Sequence, residues 1–197
     1  MSAAPLIAVP LRVEALLVRW GAHGARVRVT GMGPERSHAA AHVLRSEPEG
    51  ALLILGFCGA LEHGAVPGEV VVAEELLTAS DEGHVAERMA CADTDSLVAT
   101  LRGSGLSVRR GPLVCVSRLA LGERRAELRE RFGAVAVDME SVWLAGGADG
   151  RPCGVVRVVL DSPSHELLRL KAVVGAVRAA AALRRVAAAL HGWSPEV

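Results

Sequence analysis

Short apolar runs rich in valine and leucine recur along the chain, and segments with helical character separate them. The most strand-like run, 51–55, is uninterrupted and is followed by glycine, as is typical of a buried strand. Similar runs occur at 5–9, 27–30, 69–73, 108–116, 134–138 and 154–160. Helical segments are predicted at 10–21, 38–44, 95–101, 123–131 and 166–191. This alternation of strands and helices predicts an α/β layer fold.

Length and composition limit the fold and function classes to which this chain can belong. A chain of 197 residues can bury a sizeable core, so we predict a single domain over 1–197. Lysine and arginine together number 22 and so do aspartate and glutamate, which leaves no basic excess for nucleic acid. The four cysteines lack CxxC spacing, so the sequence predicts neither a zinc site nor a disulfide framework, and it indicates no other metal and no cofactor.

The N-terminal segment has neither the basic region nor the long apolar core of a signal peptide. No window reaches 18 uninterrupted apolar residues, so the sequence predicts no transmembrane helix. Together with the scattered cysteines, these features predict a cytoplasmic protein.

Two carboxylates follow the valine-rich run at 134–137. Asp138 and Glu140 bracket Met139, and a helix is predicted to begin at Ser141. The C-terminal ends of strands in an α/β sheet face the ligand crevice. Buried carboxylates need partners, and a sugar diol supplies two adjacent hydroxyl donors. The alternative is a helix N-terminus, where the dipole favours acidic residues.

Two further acids stand near predicted strand ends. Glu14 falls in the first turn of the helix after the first strand, and Asp161 follows the strand at 154–160. For Glu14 a favourable charge–dipole interaction is again the alternative explanation. The charged segment 123–131 is predicted to be a solvated helix, and 78–94, which includes His84, a flexible loop over a site.

Glycine-rich segments follow two of the predicted strands. The turn 31–34, Gly-Met-Gly-Pro, precedes a helix, so backbone N–H groups around Gly33 are predicted to be free for an anion or a polar ligand. Tight-turn geometry alone also explains this pattern, which lacks the third glycine of a dinucleotide fingerprint. The segment 56–61, Gly-Phe-Cys-Gly-Ala-Leu, is predicted to let a ligand approach the backbone closely.

Four segments together resemble the purine nucleoside phosphorylase and nucleosidase superfamily. They are Gly-Met-Gly-Pro at 31–34, Gly-Phe-Cys-Gly-Ala-Leu at 56–61 with Pro-Gly-Glu-Val-Val-Val at 67–72, Val-Asp-Met-Glu-Ser at 137–141, and Val-Arg-Val-Val-Leu-Asp at 156–161. Their order and spacing match from about residue 5 to about residue 190. The resemblance implies a single-domain, three-layer α/β sandwich whose twisted central mixed β-sheet is flanked by helices. It also implies an enzyme that cleaves the N-glycosidic bond of a nucleoside.

The resemblance implies roles for the acidic residues. Glu140 resembles the glutamate that binds the ribose diol, and Met139 the methionine that packs on the sugar. Asp161 resembles the acid that protonates or hydrogen-bonds N7 of the departing purine, a role that burial of a protonated carboxyl group would support. Glu14 resembles the glutamate that holds or activates the attacking water in methylthioadenosine/adenosylhomocysteine nucleosidases. Asp138 is assigned to the substrate-binding set.

Other positions are implied to line the substrate site. These substrate-binding positions are Gly33, Phe57, Cys58, Gly59 and Leu119, the last standing where those nucleosidases stack an aromatic ring on the base.

Some positions depart from the pattern of the superfamily. Phosphorolytic relatives bind phosphate with a serine and an arginine, where this chain has Phe57 and Ile54, so the resemblance favours hydrolysis. Arg36 keeps phosphate open as a co-substrate, and Leu160 replaces a polar residue that would orient Asp161.

Within the superfamily the chain is most similar to the hopanoid-associated group, which is thought to convert adenosylhopane to ribosylhopane and adenine. The turn 31–34, the segment 56–58 and the run 161–168 carry this likeness. It implies a lipid-linked substrate and a location at the inner membrane surface. In the closing helix Lys171, Arg178 and Arg185 recur every seven residues, which fits a solvated face or a contact with anionic headgroups. A homodimer is also implied by the resemblance.

Three other functions stay open. The chain is alternatively a nucleosidase for small adenosyl thioethers such as methylthioadenosine, with a closed 5′ pocket. It is alternatively a phosphorylase that depends on phosphate. The last alternative is a non-catalytic protein that binds a nucleoside without releasing the base.

Overall fold

Eight strands form the central β-sheet in the computed structural model, which describes residues 4–47, 50–79, 85–163 and 172–195. Within these ranges the strands are β1 Leu6–Val9, β2 Arg26–Val29, β3 Leu52–Ala60, β4 Val70–Ala79, β5 Val85–Ala90, β6 Val108–Cys115, β7 Ala136–Asp138 and β8 Cys153–Asp161. The helices are α1 Arg12–Gly21, α2 Pro34–Arg45, α3 Thr94–Gly103, α4 Glu123–Phe132, α5 Ser141–Ala145 and α6 Ala172–Leu190, with a 3₁₀ turn at Gly146–Ala148.

The sheet is mixed and partly closed on itself. Strand order is β2-β1-β3-β7-β6-β4-β5, and β8 pairs with both β3 and β4. The pairs β1–β2, β1–β3, β3–β8, β4–β6 and β6–β7 are parallel, whereas β3–β7, β4–β5 and β4–β8 are antiparallel. Because β8 bridges β3 and β4, five strands (β3, β7, β6, β4 and β8) form a closed ring. The C-terminal ends of the parallel strands β3 and β8 lie at one end of this ring, where the short antiparallel strand β7 places Val137 beside Gly59.

Two of the three apolar clusters among the described residues lie on opposite faces of the sheet, as the two-residue period of a strand requires. In β3, Leu53 and Leu55 pack with α1, α3 and α6, whereas Leu52 and Ile54 pack with α2 and α5. When helices cover both faces of a sheet, its strands are apolar along most of their length, and this explains the composition of β3. The predicted α/β fold with a central mixed sheet flanked by helices is confirmed.

Some element boundaries differ from those predicted. β3 continues through the glycine-rich segment as far as Ala60, so 56–60 is strand rather than loop. The prediction of a loop at 78–94 is wrong where β5 forms, because β5 pairs antiparallel with β4. His84 lies outside the described residues. The first six residues of the helix predicted at 166–191, including Lys171, also lie outside them, and α6 is described from Ala172. Among the described helices, none combines the length and apolarity needed to cross a bilayer.

Candidate active site

Glu14 is a buried carboxylate held by backbone donors from two elements. It lies in the first turn of α1 and is 1% exposed. Its Oε2 accepts a hydrogen bond from the backbone N–H of Leu11 at 2.7 Å, and its Oε1 accepts one from Phe57 in β3, also at 2.7 Å. A charge–dipole effect at the surface therefore does not account for Glu14, because the side chain points into the molecule against β3.

A glycine in β3 makes room for this contact. A Cβ atom at Gly56 would lie 2.8 Å from Glu14 Oε1 and 2.4 Å from Arg157 Nη1. Both distances are shorter than real Cβ contacts, so the carboxylate and the guanidinium approach the backbone only because residue 56 has no side chain.

Burial raises the pKa of Glu14 to about 7, and the Arg157 charge and the two backbone donors only partly oppose it. A carboxyl group with this pKa exchanges a proton readily near neutral pH. It therefore has the protonation behaviour expected of a general base or acid.

Arg157 is a fully buried cation that ties the acids of the site together. It projects from β8, and its Nη2 lies 2.7 Å from Asp138 Oδ2. Its Nε and Nη2 donate to Ser141 Oγ at 3.0 and 2.9 Å. The charge of Arg157 also acts on Glu14 and Glu140, since it lowers the pKa of both carboxyl groups against the effect of burial.

Asp138 is occupied by protein donors. Besides the contact with Arg157, its Oδ2 accepts the hydroxyl hydrogen of Ser141 at 2.5 Å, and its Oδ1 accepts the thiol hydrogen of Cys115 at 2.9 Å. These contacts orient Arg157 and fix the start of α5. The position predicted as substrate-binding thus holds the guanidinium within the described structure.

Glu140 stands at the N-terminus of α5 and is almost completely buried. Its Oε1 accepts a hydrogen bond from the backbone N–H of Gly33 at 2.9 Å. The expectation that this N–H group is free for an anion is therefore wrong. Burial raises the pKa of Glu140, whereas Arg157 and the Gly33 N–H lower it.

Asp161, at the end of β8, forms a buried ion pair with α4. Arg125 Nη2 lies 2.6 Å from Asp161 Oδ2, and their side chains are 1% and 4% exposed. Each of these buried charges therefore has a partner of opposite sign. The prediction that 123–131 forms a solvated face is wrong at Arg125, which points inward, although most of its neighbours in α4 are exposed.

A small cavity lies beside this ion pair. Among its lining residues are five of the predicted site positions, Gly59, Leu119, Asp138, Met139 and Asp161. Gly59 pairs with Val137 in β7 and with Asp161 in β8, so β3 places it between the two strand ends that carry the acids. Cys58, its neighbour in β3, is buried, and burial raises the pKa of its thiol far above the usual range.

The structure thus gathers the predicted acids around the ends of β3, β7 and β8. Sequence reasoning noted Arg157 as a strand residue but gave it no role, and it gave none to Arg125 or Ser141. A charged residue within an apolar strand, such as Arg157 in 154–160, was the available signal, because an unpaired buried charge is too costly to keep. Arg125 has no comparable signal, since it stands among other charged residues.

The arrangement suits chemistry on a polar organic ligand. Glu14 supplies a group able to exchange a proton near neutral pH, and Arg157 supplies a fixed positive charge beside it. Glu140 and Asp161 supply two further buried carboxyl groups that can accept hydrogen bonds. No group of three or more potential metal ligands occurs among residues 4–47, 50–79, 85–163 and 172–195.

Solved structures similar to this chain include several nucleosidases. The methylthioadenosine/adenosylhomocysteine nucleosidase of Neisseria meningitidis, in complex with methylthio-immucillin-A, has a TM-score of 0.74 at 21% identity, covering 94% of this chain and 96% of that one. The corresponding protein of Streptococcus pneumoniae, in complex with 8-aminoadenine, has a TM-score of 0.74 at 18% identity, covering 95% and 100%. That of Campylobacter jejuni has a TM-score of 0.79 at 16% identity, covering 97% and 100%. At these identities the likeness establishes the fold.

Sequence comparison with curated proteins gives no significant match. The family model described as the phosphorylase superfamily matches residues 5–189, which is nearly the whole chain. Because this match spans the sheet, the helices and every acid of the site, the chain belongs to the phosphorylase superfamily of enzymes.

Proposed function

We propose that this protein is an N-ribosyl hydrolase that cleaves the N-glycosidic bond of an adenosine-type nucleoside and releases adenine. The observation that carries the proposal is the buried Glu14, which two backbone N–H groups hold near the buried charge of Arg157. Membership of the phosphorylase superfamily and the fold shared with nucleosidases support it.

In this proposal each acid has a separate task. Glu14 accepts a proton from the attacking water, which forms the new bond to C1′ of the sugar. Glu140 accepts hydrogen bonds from the ribose diol, and Met139 packs on the sugar. Asp161 protonates or hydrogen-bonds N7 of the base, which leaves with the electron pair of the broken C1′–N9 bond and takes up one proton, either from Asp161 or from solvent. Positioning and proton transfer of this kind each lower the barrier substantially.

The residues of β3 fit hydrolysis better than phosphorolysis. Ile54 lies wholly within the apolar core, and the Phe57 side chain packs against the opposite core. Neither side chain can bind a phosphate dianion. Arg36 is exposed on α2, with its side chain against Gly31, and it is the remaining candidate for a phosphate contact.

We further propose adenosylhopane as the substrate, which places the reaction in hopanoid biosynthesis. A lipid-linked nucleoside requires the enzyme to work at the inner membrane surface. Valines near the start of α6 are exposed (Val173, Val174 and Val177), and so are apolar residues of α1, which packs against α6 (Val13, Leu16 and Trp20). These exposed side chains support a homodimer interface, a peripheral membrane contact, or both.

The competing substrate is a small adenosyl thioether, because the similar solved structures are described as methylthioadenosine/adenosylhomocysteine nucleosidases. The deciding experiment measures adenine release from adenosylhopane in detergent and from methylthioadenosine, each with and without phosphate. Release from adenosylhopane alone, independent of phosphate, supports the proposal. Comparable release from methylthioadenosine favours a general nucleosidase, and dependence on phosphate favours a phosphorylase. A protein that binds these nucleosides without releasing adenine is a binding protein.

A further inference from the structure

Arg157 lies among three acidic side chains but forms an ion pair with one of them. Its Nη2 lies 2.7 Å from Asp138 Oδ2, whereas within the described part of the chain it forms no ion pair with Glu14 or Glu140. The charges of all three acids act on the buried guanidinium. Because the attraction between opposite charges has no preferred direction, charge alone does not explain why Arg157 contacts Asp138 and leaves the other two.

The hydroxyl group of Ser141 supplies this direction. Ser141 is the first residue of α5 and is completely buried. Its Oγ accepts hydrogen bonds from Nε and Nη2 of Arg157 at 3.0 and 2.9 Å, and the hydroxyl donates to Asp138 Oδ2 at 2.5 Å. A serine hydroxyl group has one donor and two acceptor sites, so these contacts use all three. One edge of the guanidinium is thereby held on Asp138.

Asp138 is itself fixed from the other side. Its Oδ1 accepts the thiol hydrogen of Cys115 at 2.9 Å and two backbone N–H groups at the start of α5, both at 3.3 Å. The sulfur of Cys115 in turn accepts the backbone N–H of Val142 at 3.2 Å. The pairing of β6 with β7 places Cys115 directly beside Asp138. The carboxylate that binds Arg157 therefore cannot follow the guanidinium to another position.

The held edge decides which part of the guanidinium faces Glu14. Nη1 lies on the other side, next to Gly56, where an added Cβ atom would be 2.4 Å from Nη1 and 2.8 Å from Glu14 Oε1. Among the described residues, Nη1 has one hydrogen bond, a long one of 3.5 Å to the carbonyl of Leu55. Without the Ser141 hydroxyl group, the guanidinium would be able to turn and form an ion pair with Glu14.

We propose that Ser141 is a positioning residue, whose hydroxyl group holds Arg157 on Asp138 and keeps the guanidinium out of direct contact with Glu14. The inference rests on the proposed function, in which Glu14 accepts a proton from water. A direct ion pair with an arginine lowers the pKa of a carboxyl group by about 1 to 3, which makes the carboxylate a poorer base near neutral pH. Ser141 thus preserves the basicity that the reaction requires of Glu14.

Several other groups act on Glu14 and Arg157. Glu14 is affected by the charges of Arg157 in β8 and Glu140 at the start of α5, and by the backbone N–H groups of Leu11 and Phe57. β3 adds the thiol of Cys58, which acts on Arg157. Burial raises the pKa of this thiol far above neutral, so it keeps its proton. Glu140 is the other carboxyl group whose pKa burial raises, and the test must therefore distinguish it from Glu14.

The test compares kcat/KM for base release at pH 6 with that at pH 8. For the wild type we expect a ratio of about 0.1, because the pKa of Glu14 is about 7. Ser141→Ala should raise the ratio to about 0.5, since an ion pair with Arg157 lowers that pKa by about 1 or more. General damage to the site lowers both values and leaves their ratio unchanged. Ser141→Thr keeps the hydroxyl group and should keep the wild-type ratio.

The matched control is Ser37→Ala. Ser37 is also completely buried, on α2, and its Oγ has no hydrogen-bond partner within the described residues. This variant should show the wild-type ratio. Circular dichroism checks the folding of each variant, and Ser141→Cys, whose thiol is a weak acceptor, replaces Ser141→Ala if the latter does not fold. An unchanged or lower ratio in the folded variant overturns the inference, and so does an equal rise in Ser37→Ala.

A second measurement does not depend on turnover. Infrared spectroscopy of the ligand-free protein follows protonation of Glu14 through the carboxyl band that is absent in Glu14→Gln, which separates it from Glu140. The midpoint of this titration should move from about 7 in the wild type to about 6 in Ser141→Ala. If it moves and no nucleoside is cleaved, the proposed function fails and the inference stands. If nucleoside is cleaved and the midpoint does not move, the inference fails and the proposed function stands.

Discussion

At the scale of single residues, Glu14 links catalysis to pH. Its pKa is about 7, so at pH 6 only about a tenth of the molecules carry the carboxylate that accepts a proton from water. We expect kcat/KM for base release to fall about tenfold per pH unit below 7, and Glu14→Gln to lower the rate by about 10²-fold or more at neutral pH. Both are measured by chromatography of the released base.

The same group should affect folding in the opposite sense. A carboxyl group whose pKa is raised in the folded protein contributes its stability fully below its unfolded pKa of 4.5 and loses it as pH rises through 7. The free energy of unfolding of Glu14→Gln, measured relative to that of the wild type, should therefore rise by on the order of 3 kcal/mol between pH 4.5 and pH 7.5. Urea unfolding at both pH values measures it. Glu35→Gln, an exposed acid in the first turn of α2, is the control, and an equal gain there would contradict the assignment to Glu14.

At the scale of secondary-structure elements, β3 positions the site because Gly56 leaves room for two charged side chains, those of Glu14 and Arg157, to lie against the strand. Gly56→Ala would place a methyl group 2.4 Å from Arg157 Nη1 and 2.8 Å from Glu14 Oε1. We expect kcat to fall roughly 100-fold, because a displacement of about 1 Å at a catalytic group has that effect, and stability to fall by about 1–3 kcal/mol. Steady-state kinetics and thermal unfolding measure the two effects.

The control for this substitution is Gly64→Ala. No atom lies within 4 Å of a Cβ added at Gly64, and the residue is exposed between β3 and β4. Its activity and stability should match those of the wild type. An active Gly56→Ala enzyme would mean that Glu14 and Arg157 relax without loss of their function.

The elements also show where sequence reasoning succeeds and where it stops. The largely apolar runs of β1, β3 and β8 indicate buried strands, because helices cover both faces of the sheet. β5 was not predicted because its sequence, Val-Ala-Glu-Arg-Met-Ala, does not alternate between apolar and polar residues. It belongs to the sheet through its pairing with β4. The glycines of β3 were predicted to follow the strand and admit a ligand, since the side chains that they accommodate come from α1 and β8, far away in the sequence.

At the scale of the whole molecule, the acids were predictable and their cationic partners were not. Glu140 and Asp161 stand at the ends of strands, where a layer fold directs ligand-binding groups. Arg125 in α4 pairs with Asp161 at the end of β8, a residue 36 positions away in the sequence. Local patterns carry no information about such a contact, because closure of the ring, which depends on β8 pairing with both β3 and β4, decides which side chains meet.

The outer surface of the molecule yields the last prediction, which concerns assembly. Val173 and Val177 are 71% and 65% exposed at the start of α6. Because they pack against little within the chain, replacing both with serine should change the free energy of unfolding by no more than about 0.5 kcal/mol. In the proposed homodimer these side chains are covered, so the double variant should sediment as a monomer at concentrations where the wild type is dimeric. Val43→Ser, 60% exposed on α2, is the matched control and should leave the dimer intact. A double variant that stays dimeric but no longer co-sediments with anionic vesicles would instead assign this face to the membrane.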